Sequence, residues 1–205
     1  MRSGLLIVIS GPSGAGKGTI CKGWLEKNSD AVLSVSVTTR PPRPNEQDGK
    51  NYFFKTREEF EAMIKDNDFL EYAEVYGNYY GTPRKYVQQQ LSKGRDVVLE
   101  IDIQGALQIK ERFDEGVFIF IVPPTMEELR RRIVNRGTED PDAVLKRFKC
   151  AFKEINFIRR YNYVVVNDSV NDAIENIDAI VKAEKCRVDR NLNLIAQLQG
   201  GGICE

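Results

Sequence analysis

Near-continuous apolar runs, rich in β-branched residues, decide what this chain can fold into: LLIVI at 5–9, VVLEI at 97–101, VFIFIV at 117–122 and YVVV at 163–166, with a shorter run at 32–37. A strand buried on one face alternates apolar and polar residues, whereas a strand covered on both faces does not. Helical patterns fill the intervals. Thr125 and Glu128 form a capping box for a helix over 126–135, and Thr56 and Glu59 form one for a helix ending at Asp66. Thr82 followed by Pro83 reads as an N-cap and first helical residue, opening a helix to Lys93. Strand and helix in alternation predict an α/β fold with a doubly wound, three-layer arrangement around a parallel sheet.

With 205 residues, one domain is expected. Its core is read as 1–37 and 82–190. Residues 38–81, rich in Pro, Tyr, Arg and Asn with short strand-like pieces at 52–54 and 70–75, read as an insertion. NRGTEDPD at 135–142 is a second polar interruption, and the tail 191–205 ends in QGGGICE, which is expected to fray.

Thirty basic residues balance thirty acidic ones, so no general electrostatic grip on nucleic acid is expected. The chain has no histidine, which removes Ser-His and Cys-His nucleophile schemes and most zinc enzymes. Cys21, Cys150, Cys186 and Cys204 are scattered without a C-x-x-C pair, as free thiols in a reducing compartment would be. The first apolar run is too short for a secretion signal or a membrane span, so a cytoplasmic protein with no membrane partner is expected.

The run at 5–9 feeds directly into GPSGAGKGT: Gly11, Pro12, Ser13, Gly14, Ala15, Gly16, Lys17, Gly18 and Thr19. The pattern G-x-x-x-x-G-K-[ST] fits until Gly18, which stands where a hydroxyl is usual. Glycines let successive backbone N–H groups turn toward phosphate oxygens, and the following helix adds its positive end. Lys17 is placed to reach β- and γ-phosphates, and Thr19 is the nearest remaining hydroxyl. Magnesium keeps much of its water shell, so the loss of one side-chain ligand is tolerable. The K-G-T ending resembles the loop of adenylate kinases and tilts the reading toward a small-molecule kinase over a GTPase. ATP and Mg2+ are the expected cofactors, with no protein side chain assigned to the metal.

In VSVTTRPPRPNEQDGKNYFF, Arg40 and Arg43 form a pair of forks on a proline-stiffened loop, suited to a dianionic phosphate, and Tyr52 can add a phenolic O–H. FLEYAEVYGNYYGT and VVLEIDIQG follow. Together with the phosphate loop, RGTE and VVVND, these stretches resemble the guanylate kinase family over residues 3–185, within the phosphate-loop nucleoside-triphosphatase-like folds. The resemblance makes 38–81 a GMP-binding insertion and 135–142 a short lid. It implies Ser36 and Glu71 facing guanine, with Thr82 and Asp102 completing the base and nucleotide contacts. It implies Arg40, Arg43, Tyr52 and Tyr80 on the 5′-phosphate. A carboxylate can accept from guanine N1–H and the amino group together, whereas adenine offers an acceptor at N1. Thr82 stands where many relatives carry serine, and Glu100 where aspartate is frequent.

The expected reaction is reversible transfer of the γ-phosphoryl of ATP to GMP, and to dGMP, without a general base, since the acceptor is already a phosphate dianion. Lys17, Arg136 and Arg147 are the catalytic candidates, with Arg132 a further one, and Asn167 is expected near the adenine. Arg130 and Arg131 read as a charged helix face. Two alternatives stay open: a nucleoside monophosphate kinase of different specificity, and a guanylate-kinase-like scaffold that binds phosphorylated peptides without handling ATP. The sequence leaves the oligomeric state open.

Overall fold

β1 (Leu6–Ser10) is buried at every position because its two faces pack against different layers. Ile7 and Ile9 enter one core cluster with Ile20, Trp24, Ile174 and Ile177. Leu6 and Val8 enter another with Val87, Ile109 and Phe118. Burial on both faces is what makes the run continuously apolar, and each fully buried aliphatic side chain contributes roughly 1.5–3 kcal/mol. The computed structural model describes residues 4–75, 77–113, 115–134 and 141–200.

The chain runs on through α1 (Lys17–Lys27), β2 (Ala31–Leu33), β3 (Val37–Thr38), β4 (Phe53–Phe54), α2 (Arg57–Lys65), β5 (Phe69–Val75) and β6 (Asn78–Pro83). It continues with α3 (Arg84–Ser92), β7 (Asp96–Glu100), α4 (Ile103–Arg112), β8 (Val117–Val122) and α5 (Met126–Val134). The last elements are α6 (Pro141–Ile155), β9 (Tyr163–Val166), α7 (Val170–Lys185) and α8 (Leu192–Gly200). Among the described residues, β2, β7, β1, β8 and β9 form one sheet in that order, all parallel. From β1 the chain fills one side of the sheet and then crosses to the other. The switch point therefore lies at the C-terminal end of β1, where doubly wound sheets open a crevice for ligands.

A second sheet, ordered β4-β3-β6-β5, spans Val37 to Pro83. Its long hairpin is β5 against β6 in antiparallel register. Phe60 of α2 packs under it, stacked on Phe69 and Tyr79 with ring centroids 4.4 and 5.2 Å away. Among the described residues no helix is long and apolar enough to cross a membrane.

Four sequence expectations change. The run at 32–37 is not one strand: β2 belongs to the main sheet and β3 to the second, and the chain turns between them after Ser34 donates to the Val98 carbonyl at 2.9 Å. The insertion holds a full second arm, β6, where only short pieces were expected. Thr82 is not a helix cap. It stays in β6 while Pro83 takes the cap position, because its hydroxyl serves a buried carboxylate. The Thr56 box is complete, but at Thr125 only half is made: Thr125 accepts from the Glu128 N–H, while the Glu128 carboxylate is taken by Arg131 and Arg132.

Most of the expected lid lies outside the described residues; Pro141 and Asp142 open α6. At the tail, Gln199 and Gly200 close α8, and 201–205 lie outside the described residues.

Candidate active site

The loop between β1 and α1 turns on glycines that no other residue could replace without strain. Gly11 has φ 145°, and a Cβ there would stand 2.2 Å from the Ile121 carbonyl oxygen. Gly16, at φ 93°, is the N-cap of α1, and a Cβ on it would meet the Asn167 amide nitrogen at 2.3 Å. Asn167 is 3% exposed. Its Nδ2 donates to the Ala15 carbonyl at 2.7 Å, and its backbone carbonyl accepts from the Arg132 guanidinium at 3.0 Å. The end of β9 thus clamps the loop from below. Lys17 Nζ donates to the carbonyls of Gly11 (2.6 Å) and Pro12 (3.2 Å). Burial pushes its pKa down, and the Glu100 carboxylate works against that shift.

Gly18 stands in place of the usual hydroxyl. A Cβ there would lie 3.3 Å from Oε1 of Glu100 at the end of β7, a tight approach that a small shift of the carboxylate would relieve. Thr19 is exposed.

Glu71, in the middle of β5, is 4% exposed. Thr82, opposite it on β6 and fully buried, donates its hydroxyl to Oε1 at 2.6 Å. Oε2 lies against the backbone of Gly105, where a Cβ would come within 2.2 Å; only glycine leaves the carboxylate in place. Burial raises the Glu71 pKa to about 7, and the nearby Asp102 adds to the shift. Asp102 itself caps α4, accepting from Gly105 N–H at 2.8 Å; burial raises its pKa and that hydrogen bond opposes the rise.

The Arg40 guanidinium lies 5.5 Å from the Tyr52 ring centroid, and Tyr52 packs edge-on to Tyr80. Burial pushes the Tyr52 phenol up to about 12, so it remains a hydrogen-bond donor at neutral pH. Arg40 is held by both oxygens of Glu46 at 2.9 Å, and Glu46 also accepts from the Arg43 N–H at 2.7 Å. The sequence reading passed over Glu46, although an acidic residue three positions after Arg43 was its signal.

One cavity of about 620 Å³ joins these two regions. Gly11, Ser13, Gly14, Gly16, Lys17 and Gly18 line one part of it, and Ser36, Arg40, Arg43, Tyr52, Glu71 and Tyr80 line another. Glu100, Asp102, Arg147 and Glu154 line it as well. The Arg147 guanidinium donates to Ser13 Oγ at 2.8 Å. Of the other expected residues, Pro12 and Ala15 are buried within the loop, Thr82 stands behind Glu71, Asn167 lies beneath the loop, and Arg136 lies outside the described residues. Asn78, Gly81, Ile101 and Ile103 line the cavity without having been singled out, as does Glu154.

A cradle of backbone amides on a doubly wound sheet opens here into a second, separately built anion pocket. Phosphate-loop phosphotransferases with two nucleotide-sized sites have that organisation, and the fold and cavity put this chain in their class. A family model described as guanylate kinase matches residues 3–184. A guanylate kinase of Caldanaerobacter subterraneus subsp. tengcongensis is 62% identical over 198 residues, covering 97% of this chain and 96% of that protein. One from Clostridium tetani is 63% identical over 190 residues, covering 93% and 91%. The crystal structure of guanylate kinase from Anaplasma phagocytophilum superposes with a TM-score of 0.82 at 36% identity, covering 99% of this chain and 98% of that one. The chain belongs to the guanylate kinase family, kinases that phosphorylate GMP from ATP.

Proposed function

We propose that the chain catalyses reversible, magnesium-dependent transfer of the γ-phosphoryl of ATP to GMP, and to dGMP, giving ADP and the nucleoside diphosphate. The observation that carries this reading is the single cavity lined by both Lys17 and Glu71. The loop amides and Lys17 hold the donor's phosphates. Arg40, Arg43, Tyr52 and Tyr80 hold the acceptor's phosphate, and the guanidinium of Arg40 leaves Glu46 to do so. Glu71, with Ser36 and Asp102, reads the base rather than the sugar, which is why the deoxy acceptor is included, and Thr82 holds Glu71 from behind. Arg147, already at the loop, and Arg136 neutralise charge on the transferring group.

Glu100, whose carboxylate lies near Gly18, is the residue that would offer an acceptor to the water shell of magnesium. The ion would supply positive charge that offsets the charge of the phosphates. Asn167 serves the donor site by fixing the Ala15 carbonyl, and hence the direction of the loop amides. The acceptor oxygen is anionic, so the protein's task is alignment and charge compensation, with water kept from the phosphoryl.

The test is a coupled assay offering GMP, AMP, UMP and CMP side by side with ATP. GMP is expected to turn over with the other three near background, because a buried Glu71 left facing an acceptor atom loses its hydrogen bonds. Comparable turnover of AMP would contradict the base-reading role. A silent titration with a nonhydrolysable ATP analogue would favour the scaffold alternative.

A further inference from the structure

The phosphate loop turns sharply between Pro12 and Ala15, where the Ala15 N–H donates to the Pro12 carbonyl at 3.1 Å. Gly14 takes φ 91°, the positive value that a type II turn demands of its third residue. Ser13, just before it at the tip of the turn, lines the cavity. Gly14 also seats the loop on α5, since a Cβ there would meet Ile133 Cγ1 at 3.1 Å and Leu129 Cδ1 at 3.2 Å. Leu129 and Ile133 pack in turn with Ala151 and Phe148 of α6. Arg147 stands one helical turn before Ala151, so the same face of α6 carries it back to the loop. There its guanidinium donates to Ser13 Oγ at 2.8 Å, across 134 residues of sequence. A tight turn fixes one end of this bond and a packed helix the other. The hydroxyl aims a guanidinium without bringing negative charge of its own, unlike the carboxylates that hold Arg40 at 2.9 Å and Arg132 at 2.7 Å.

We propose that Ser13 is a positioning residue for phosphoryl transfer: its hydroxyl holds Arg147 aimed at the donor's terminal phosphate, so that the arginine is in place before the transition state forms. This rests on the loop being the donor site and Arg147 a catalytic group, as argued above. A guanidinium carries several N–H donors, so one can rest on Ser13 while others face the phosphoryl group. A fixed cation stabilises the transition state because it needs no reorganisation as charge moves. Without the hydroxyl, the long side chain samples other rotamers, and the entropy of collecting it falls on the transition state rather than on substrate binding. Ser13 thus acts through Arg147, and its contribution vanishes once the guanidinium is removed.

The test is a double-mutant cycle on the full chain, read by steady-state kinetics with ATP and GMP. Ser13→Ala is expected to lower kcat roughly 10-fold, with both KM values held within about threefold. Arg147→Ala lowers kcat roughly 10²–10³-fold, and adding Ser13→Ala to it changes kcat by less than about twofold. Ser13→Thr restores the hydroxyl and brings kcat to within about threefold of the wild type. Ser13→Cys, which keeps the size and offers only a weak acceptor, repeats the cycle should Ser13→Ala fail to fold. A loss of the same size with and without Arg147 makes the hydroxyl a direct phosphate ligand or a brace of the loop, and overturns the proposal. Wild-type turnover by Ser13→Ala or by Arg147→Ala overturns it too, as does a Ser13→Thr variant as slow as Ser13→Ala. A wild type that binds no nonhydrolysable ATP analogue fails the donor-site reading itself, and the proposal falls with it.

Discussion

Lys17→Ala lowers turnover with ATP and GMP on the order of 10³-fold, with GMP affinity changed by no more than a few-fold. The ammonium is the side-chain cation of the loop, held on the Gly11 and Pro12 carbonyls within the cavity. Charge moves onto the bridging oxygen as the γ-phosphoryl departs, and a cation fixed beside that oxygen stabilises the transition state more than the bound substrate. Deleting one such preorganised group typically removes 10²–10³ in rate. The loss falls on kcat for that reason. Stability moves little, since the buried ammonium bears a desolvation cost that its two carbonyl contacts offset. Steady-state kinetics with thermal unfolding checks both parts, and near wild-type turnover would remove the loop from the chemistry.

Glu71→Gln is expected to weaken GMP by roughly 10²–10³ while leaving the ATP analogue nearly untouched, and at the same time to stabilise the protein. The loss follows from replacing two charge-assisted acceptor contacts by an amide that turns a donor toward the guanine N1–H. The gain follows from linkage. The Glu71 pKa is raised to about 7 in the folded chain, from an ordinary glutamate value of 4.5. A carboxyl whose pKa is raised on folding contributes stability below its unfolded pKa, and that contribution is lost as pH rises from 4.5 through 7. At pH 8 the ionised residue therefore costs about 3 kcal/mol, which glutamine avoids. The midpoint of thermal unfolding at pH 8 should rise by roughly 5–10 °C. The same shift makes wild-type GMP binding pH-dependent. Affinity falls roughly tenfold between pH 8 and pH 6 as the carboxylate protonates, over and above any change seen in Glu71→Gln, which reports the titration of the GMP phosphate. Acceptor titrations at both pH values measure it; a Glu71→Gln variant that is no more stable and still binds GMP would contradict the assignment.

The parts of this molecule that could be read in advance are those where one physical rule acts alone. β8 was legible to the residue because a strand covered on both faces leaves no place for a polar side chain; β9, at the sheet edge with Val164 and Val166 exposed, was legible from its β-branched run alone. The phosphate loop was legible because the demand for positive φ and close backbone approach restricts it to glycine. Where two rules compete, the sequence misled. Thr82 before Pro83 has the signature of a helix start, yet its hydroxyl is claimed by Glu71 across the hairpin. The arm Asn78–Pro83 mixes Asn, Gly and Pro with tyrosines, so its strand character comes from pairing with β5 rather than from its own residues. Charges whose partners lie far along the chain were least visible. Lys185 meets Asp96 only after the core has folded, and nothing near either residue announces the pair. Gly18 is the instructive case, because only the fold brings Glu100, distant in sequence, to within 3.3 Å of where its side chain would begin.

The central claim is that the donor's polyphosphate and the acceptor's single phosphate face each other inside one cavity. Adenosine and guanosine joined 5′ to 5′ through five phosphates span both pockets at once, and calorimetry with this ligand tests the claim directly. The account predicts one molecule bound per chain, at least roughly 100-fold tighter than the ATP analogue alone, and weakened by both Lys17→Ala and Glu71→Gln. Binding no tighter than the ATP analogue, or affinity indifferent to Glu71→Gln, would contradict it.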